Sequence, residues 1–384
     1  MSNLPSLNEF LKAEKQKRVS AHRCGKLVGF KYTNETIYAQ DWDEVTLNAR
    51  GIVFDETTGD VVARPFKKFF NYQEFFDGEG NHSHLYDILP NEWKPNLTGN
   101  ARYMEKVDGS LGIVFYNPYT EKWQVKTGGS FESDQAIWAQ KWFDNNVTTL
   151  YLVNTRTYLF EIINNDDIHP IHYDFEGMVL LSVLSNKTGE EYSIEEIKKT
   201  AEILNVKMVE IYDFDNFDKA VEWAKKQPKT VEGLVITFDN GFKTKAKSDD
   251  WCTLAKLFEG LNKWNIWICY DIEKDFFHAH VDKHNNYKPV DDEVLFIPEE
   301  LPEIREYAEY LRKTLETNTN AVLDIANKVK CLHSERRKQF EYVHTNYKET
   351  WPEIMKALDY FENKCNISQV KQIVYKKLEP EPEN

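Results

Sequence analysis

The sequence has no paired cysteines: Cys24, Cys252, Cys269, Cys331 and Cys365 are odd in number and scattered, with no Cys-x-x-Cys pair. That excludes a disulfide framework and a cysteine zinc site, and it fits reduced thiols in a cytosolic chain. No apolar run is long enough to span a bilayer, and Met1 to Arg18 lacks the apolar segment of a signal peptide. The expectation is a cytoplasmic protein with no membrane partner (the host cytoplasm, if the source is viral). Positive charge is scarce overall, with 48 Lys and Arg against 63 Asp and Glu and a formal net charge of -15. Nucleic-acid binding driven by overall charge is thereby excluded, while a locally basic channel is not. A Gly-x-x-x-x-Gly-Lys-Ser/Thr phosphate loop is also missing.

What is present is a globular composition, 41% hydrophobic and 14% aromatic with ten tryptophans, in a length of 384 residues that suggests two domains. From Leu27 to Ile236 short β-like runs dominate. Strands are predicted at Gly51–Phe54, Asp60–Ala63, Leu111–Tyr116, Trp123–Lys126, Thr157–Ile163, Gly177–Val183 and Gly233–Thr237. Ser193 and Glu196 make a capping box for a helix over Ile197–Leu204. After Trp251, and clearly from Pro298, helical spacing takes over. Ile304, Tyr307, Tyr310, Leu311 and Leu315 mark one helix, with others at Ala321–Cys331, Arg336–Tyr347, Trp351–Phe361 and Ile367–Leu378. Asp282–Asp292 reads as a boundary or exposed loop, and Glu379–Asn384 as a disordered acidic tail.

One lysine stands where a solvated charge has no structural reason to be. Glu105-Lys106-Val107-Asp108-Gly109-Ser110 puts Lys106 between a strand and a turn. By itself this is also an ordinary hairpin turn. Other segments carry charge where a sheet scaffold does not need it. Arg50 opens a strand, Lys67 and Lys68 are interleaved with Phe66, Phe69 and Phe70, and Glu161 sits inside an apolar strand. Glu232 precedes another strand, and Lys243, Lys245 and Lys247 share a face at period two. Each has a bland reading: a wet strand face, or a charged edge that blocks aggregation. Glu161 resists it, because a buried carboxylate needs a cation or metal. If Arg50, Lys68, Lys106, Lys126, Lys245 and Lys247 line one cleft, an anion such as a triphosphate relieves their repulsion. Their field is then expected to depress the Lys106 pKa. At a pKa near 10.4 only about one amine in 2,500 is neutral at pH 7, and a shift of roughly two to three units would make Lys106 a nucleophile.

These segments resemble the nucleotidyltransferase motifs of covalent ligases, and specifically the phage-type RNA ligase 1 family. Lys106-Val107-Asp108-Gly109 is similar to its nucleotide-accepting lysine motif, and Gln124 to Ser130 with Ser133 to Ala136 to the next. Phe160-Glu161, Glu232-Gly233 and Lys245-Ala246-Lys247-Ser248-Asp249 resemble the later ones. Arg50-Gly51-Ile52, Arg64-Pro65 through Asn71, and Thr188-Gly189-Glu190-Glu191-Tyr192 are similar to the RNA ligase 1 branch. The resemblance covers residues 25–255. It implies an α+β fold: an antiparallel-sheet, ATP-grasp-like adenylyltransferase domain at 1–255, then an all-α domain at 256–384 for RNA-substrate specificity. It further implies ATP and Mg²⁺ (or Mn²⁺) as cofactors, with AMP carried on Lys106. Arg50, Lys68 and Lys126 would hold phosphates, Lys245 and Lys247 the α-phosphate, and Glu161 the ribose. Tyr32, Phe70, Gly109 and Gly233 would support the nucleotide site, and Glu232 would place metal or nucleotide. The chain departs from the family after Glu161, where Asn164 to His169 lacks an arginine, and at the extra Asp250.

The implied partner is single-stranded or nicked RNA, with tRNA a candidate, and the implied role RNA repair. With no phosphate loop for a fused kinase, a separate end-healing kinase/phosphatase would supply the ends. A DNA ligase and a GTP-dependent mRNA capping enzyme share the lysine motif, but both usually continue into an OB-fold, whereas this chain turns helical. A non-catalytic RNA-binding protein is the third alternative, and it leaves Lys106 beside Asp108-Gly109 without a purpose. Asp275, with Asp271 and Glu273, is a candidate auxiliary magnesium ligand. His278, His280 and His284 have zinc-like spacing but no completing ligand. Lys328, Lys330, Arg336, Arg337 and Lys338 form a candidate RNA patch.

Overall fold

The strand-rich sequence between Val19 and Lys247 resolves into three sheets. The computed structural model describes residues 4–76, 79–89, 94, 97, 99–165, 169–281, 287–288, 295, 297 and 301–380. The chain divides into two units, Met1–Cys252 and Thr253–Asn384. In the first, helix α1 (Leu7–Lys15) precedes β1 (Val19–Cys24) and β2 (Leu27–Tyr32). Short helices α2 (Asn34–Ala39) and α3 (Glu44–Asn48) lead into β3 (Arg50–Asp55) and β4 (Val61–Ala63). These strands form an antiparallel sheet in the order β1-β2-β3-β4. Next come β5 (Phe70–Asn71), α4 (His84–Ile88), β6 (Ala101–Glu105), β7 (Ser110–Asn117), β8 (Lys122–Thr127) and α5 (Asp134–Asn146). They are followed by β9 (Arg156–Ile163), β10 (Gly177–Ser185), α6 (Ile194–Leu204), β11 (Ile211–Tyr212), α7 (Phe217–Lys225), β12 (Gly233–Phe238) and β13 (Lys243–Lys247).

The second sheet runs β10-β9-β7-β8 and the third β11-β6-β12-β13-β5. Pairing is antiparallel except for β13 with β5, which is parallel. Val114, Phe160, Ile162, Met178 and Leu180 form the core where helices α5 and α6 cover the second sheet. Leu27, Val53, Ile113, Phe115 and Leu159 fill the core between the first and second sheets. The Ser193–Glu196 capping box is present, with Ser193 accepting from Glu196 N at 3.3 Å.

The second unit departs from an all-α expectation. Helix α8 (Asp249–Gly260) enters it, and after α9 (Lys263–Ile268) come two short antiparallel pairs. These are β14 (Tyr270–Asp271) with β15 (Phe276–Phe277), and β16 (His280–Val281) with β17 (Tyr287–Lys288). Two-residue strands are too short to leave an alternation in sequence. The helices follow: α10 (Pro302–Leu332), α11 (Arg336–Asn346), α12 (Trp351–Phe361) and α13 (Ile367–Lys376). The two helices expected at Ile304–Leu315 and Ala321–Cys331 are one 31-residue helix. Thr317 to Asn320 are weak helix formers, but no Gly or Pro breaks the segment. Leu311, Leu315, Thr319, Val322, Ala326 and Val329 also keep one buried stripe across it. Most of the Asp282–Asp292 loop and the tail beyond Pro380 lie outside the described residues. Among the described residues no helix is long and apolar enough to cross a membrane.

Leu311 is fully buried in the helical core. Leu311→Ala is expected to cost about 2–5 kcal/mol, the usual range for a buried leucine, read as a lowered urea midpoint.

Candidate active site

Lys106 lies on a passage between two sheets and not in a hairpin. Strand β6 pairs with β12, whereas β7 pairs with β9, so Lys106–Gly109 crosses from the third sheet to the second. Several contacts hold the crossing. Lys106 N donates to Gly233 O at 2.9 Å, extending the β6–β12 ladder by one residue. Val107 is buried with Met104, Ile163 and Val179. The Asp108 carboxylate accepts from Ile171 N at 3.1 Å and Trp251 Nε1 at 3.2 Å, and faces His169 Nδ1 at 3.5 Å. Burial would raise this carboxyl, but His169 and the two donors outweigh it and hold it below the usual range. Asp108 N donates to Tyr173 Oη at 2.9 Å. Gly109 allows the close approach to β9: a Cβ there would lie 2.5 Å from Ile162 O and 3.0 Å from Glu161 Cγ.

Glu232 is the counter-charge. Its Oε2 accepts from Lys106 Nζ at 2.7 Å, and its Oε1 lies 2.9 Å from Lys247 Nζ. The register Gly233↔Lys247 sets this geometry. The strands approach so closely that a Cβ on Gly233, whose φ is +141°, would lie 2.1 Å from Ala246 O. Lys247 also lies over the Trp251 ring, 4.0 Å from its centre.

The electrostatics assign the rest of the cluster. The Lys245 amine is driven well below its usual pKa by burial and then by Lys106, Lys247, Lys68 and Arg50. Lys68, 5.0 Å from the Phe70 ring centre and 5.4 Å from that of Tyr32, falls to about 8, through burial and then Arg50. Arg50 lies over Phe69 at 4.6 Å, and its Nη1 is buried with no hydrogen-bond partner among the described residues. Such an orphan donor suits an incoming phosphate. Glu161, on β9 opposite Leu111, is pushed up to about 7 by burial, with Glu232 adding to the rise and Lys106 and Arg50 opposing it.

Two expectations change. Burial does pull the Lys106 amine down, but Glu232 and Glu161 outweigh it, and its pKa is raised in the ligand-free protein. The cationic field falls instead on Lys245 and Lys68. Lys126 does not join the cluster through its amine, which donates to Thr127 O at 2.6 Å and to Gly51 O and Gly128 O at 3.4 Å. Burial, with Lys31 adding, pushes that amine down to about 7. Lys126 therefore braces the strand that carries Arg50.

Phe70 is packed with Trp42 and Phe75, behind Lys68. Tyr32 meets Trp42 edge-on at 5.3 Å. Asp275 belongs to the second unit, where its carboxylate takes Arg312 Nη2 at 2.8 Å and the Tyr270 hydroxyl. Among the described residues no three His, Cys, Asp or Glu side chains are grouped to hold a metal. His278 is buried with Nδ1 unpartnered among the described residues, while the His280 side chain and His284 lie outside them.

Sequence reasoning missed the residues that hold the crossing, Tyr173, His169 and Trp251, because no local pattern links them to Asp108. It also assigned no role to Glu191, inside the Thr188–Tyr192 run. Glu191 takes Arg102 of β6 at 2.9 Å, Ser182 Oγ of β10 at 3.3 Å and the Lys243 amine of β13, so it ties the second and third sheets together. Gly189 leaves room for Arg64, since a Cβ there would lie 2.4 Å from Arg64 Nε.

Residues 48–251, more than half of the chain, match the family model described as RNA ligase, of the phage type. The chain belongs to this RNA ligase family. A protein of Autographa californica nuclear polyhedrosis virus, assigned as a bifunctional polynucleotide kinase/RNA ligase, is 25% identical over 245 residues, 58% of this chain and 33% of that one. A Thermovibrio ammonificans protein assigned as an RNA ligase is 31% identical over 155 residues, 38% of this chain and 36% of that one. The chain thus spans about a third of the length of these curated relatives. An archaeal ATP-dependent RNA ligase structure aligns with 69% of this chain and 65% of its own at 11% identity and a TM-score of 0.45. A Naegleria gruberi RNA ligase with PPi aligns with 44% and 54% at 19% identity and 0.36.

Glu161 carries a pH prediction. Its carboxyl binds a proton more tightly in the fold than at its ordinary value of 4.5, so stability falls as pH rises from 4.5 to about 7. Glu161→Gln should therefore be more stable than the parent at pH 8, on the order of 1–3 kcal/mol. The gap should close at low pH, as read by urea denaturation across pH.

Proposed function

We propose that the chain is an ATP-dependent RNA ligase that joins 5′-phosphate and 3′-hydroxyl ends through lysyl-AMP and adenylylated RNA. The observation that carries this is the Lys106–Glu232–Lys247 arrangement on a sheet crossing, with Glu161 and the orphan Arg50 donor beside it, inside the family-matching region.

Lys106 Nζ gives up a proton, attacks the α-phosphorus of ATP and forms a P–N bond as the bond to the β-phosphate breaks and pyrophosphate leaves. Glu232, hydrogen-bonded to that amine at 2.7 Å, is the base within reach. Arg50 and Lys68 neutralise the leaving phosphates, and Lys245 and Lys247 the α-phosphate. Glu161 takes the ribose. In the second step an RNA 5′-phosphate oxygen attacks the same phosphorus, forming a P–O–P link as the P–N bond breaks and Lys106 is released. In the third, the 3′-hydroxyl loses its proton and attacks the RNA 5′-phosphate, and AMP departs. All three are displacements at phosphorus, in which positioning and charge neutralisation supply the rate.

The donor set suits Mg²⁺, or Mn²⁺, which is commonly held by one or two carboxylates plus substrate phosphates, with Glu232 and Glu161 as the ligands here. When bound, it would neutralise charge on the transferring phosphate. Residues 1–255 form the adenylyltransferase part, and 256–384 contribute RNA-substrate specificity. The natural substrate is single-stranded or nicked RNA, with a repaired tRNA as one case, whose ends a separate kinase/phosphatase prepares. The helices and short hairpins after Trp251 favour this over a DNA ligase or capping enzyme.

The protein incubated with Mg²⁺ and α-labelled ATP should keep label through denaturing electrophoresis, and Lys106→Ala should keep none. Label from GTP but not ATP would turn the reading to capping, and no label in the parent would leave a binding protein. Gly109→Ala, by crowding Ile162 O and Glu161, should lower labelling by about tenfold or more, the scale expected of an ångström-sized misplacement, with a circular dichroism spectrum like the parent's.

A further inference from the structure

The second unit holds an aromatic surface that the nucleotide chemistry does not use. On α11, Phe340 and His344 lie one turn apart and stack, with ring centres 5.5 Å apart and planes 25° from parallel. Trp351, at the start of α12, meets Phe340 edge-on at 5.8 Å and His344 at 5.9 Å. Both α11 rings are exposed. Only Gln339 and Val343 of the eleven α11 residues are buried, so this helix contributes little to the core. Its backing is nonetheless firm. Arg336 donates to Met355 O at 3.1 Å and Asp359 at 2.5 Å, and Gln339 Nε2 donates to His333 O at 2.7 Å. Stacked rings held open to water on a fixed helix are a ready surface for a planar, apolar-faced ligand.

Charge identifies the ligand. In a chain of net charge -15, the stretch from Lys328 to Lys377 carries eleven Lys or Arg against six Asp or Glu. Next to the rings along α11, Arg337 is 90% and Lys338 60% exposed, in pairs with Glu341 and Glu335. Such surface pairs are worth little and exchange readily for phosphate. Exposed Lys348 lies between His344 and Trp351 in sequence. Two other aromatics, Trp264 on α9 and Tyr310 on α10, are exposed, and Glu303, Glu306 and Glu309 run along the same helix as Tyr310.

Building on the ligase reading, we propose that Phe340, His344 and Trp351 form a base-stacking platform for single-stranded RNA, flanked by Arg337, Lys338 and Lys348 for its phosphates. Alternation of π-faces with cations is the general means of holding unpaired nucleotides without sequence preference.

The test uses the full chain and a labelled, unstructured RNA 20-mer with 5′-hydroxyl and blocked 3′ ends, read by fluorescence anisotropy. Phe340→Ala with His344→Ala should weaken binding roughly 5- to 150-fold, the loss of one stacked base. Phe340→Tyr with His344→Phe should restore it. Arg337→Gln with Lys338→Gln should flatten the dependence of log affinity on log salt by up to about 1.4, or about 0.7 per phosphate contact. Trp264→Ala should bind as the parent does. Equal affinity and equal salt slope in the parent and the Phe340/His344 and Arg337/Lys338 variants would overturn the proposal. So would a parent dimer that Phe340→Ala with His344→Ala converts to monomer, since the face would then be a self-interface. Lys106 labelling in parent and variant, measured alongside, keeps the two readings apart: its absence in the parent defeats the ligase chemistry, and equal RNA affinity defeats the platform.

Discussion

Glu232 holds two amines with one buried carboxylate, and the arrangement of the first unit follows from that. Its oxygens take Lys106 from the end of β6 and Lys247 from the end of β13, while its own strand lies between theirs. A carboxylate this deeply buried is tolerable only because both oxygens are paired. The pairing requires the register of three adjacent strands, and the register requires Gly233 at the point where β12 and β13 nearly touch. A one-residue slip would turn Lys245 and Lys247 to the other face of the sheet.

The same carboxylate sets the charge state of Lys106. With no anion bound, Lys106 is an ammonium within an ion pair, and the repulsion among the cations is felt by Lys245 and Lys68 instead. Glu191 performs a comparable task away from Lys106, where three donors from three strands converge on it, tying the second and third sheets. Lys126 acts from behind, holding the Arg50–Gly51 backbone to the Thr127–Gly128 turn.

Much of this was legible in advance. The strands from Gly51 to Thr237 announced themselves by alternation, and helices α11 to α13 by spacing, because burial of one face imposes those periods. Lys106, Glu161, Glu232, Lys245 and Lys247 stood out because each is a charge at a position a sheet has no use for. The short pairs β14–β15 and β16–β17 left no trace, since two residues carry no period. The break expected near Thr317 to Asn320 did not occur, because the buried stripe of α10 outweighs weak local propensity.

The sequence by itself determined the types of the longer elements, the ordered motifs and the charged residues that stand out from the sheets, since these depend on local pattern and side-chain type. Tertiary structure alone decided which of those residues meet. It paired Lys106 and Lys247 with one carboxylate, turned Lys126 inward, engaged Asp275 with Arg312, and brought Tyr173, His169 and Trp251 to Asp108 from distant segments. The direction of the Lys106 shift belongs to the same class. It rests on the balance between burial and two carboxylates that lie 55 and 126 positions further along the chain. Distances of a few ångströms set that balance, and only the folded packing fixes them.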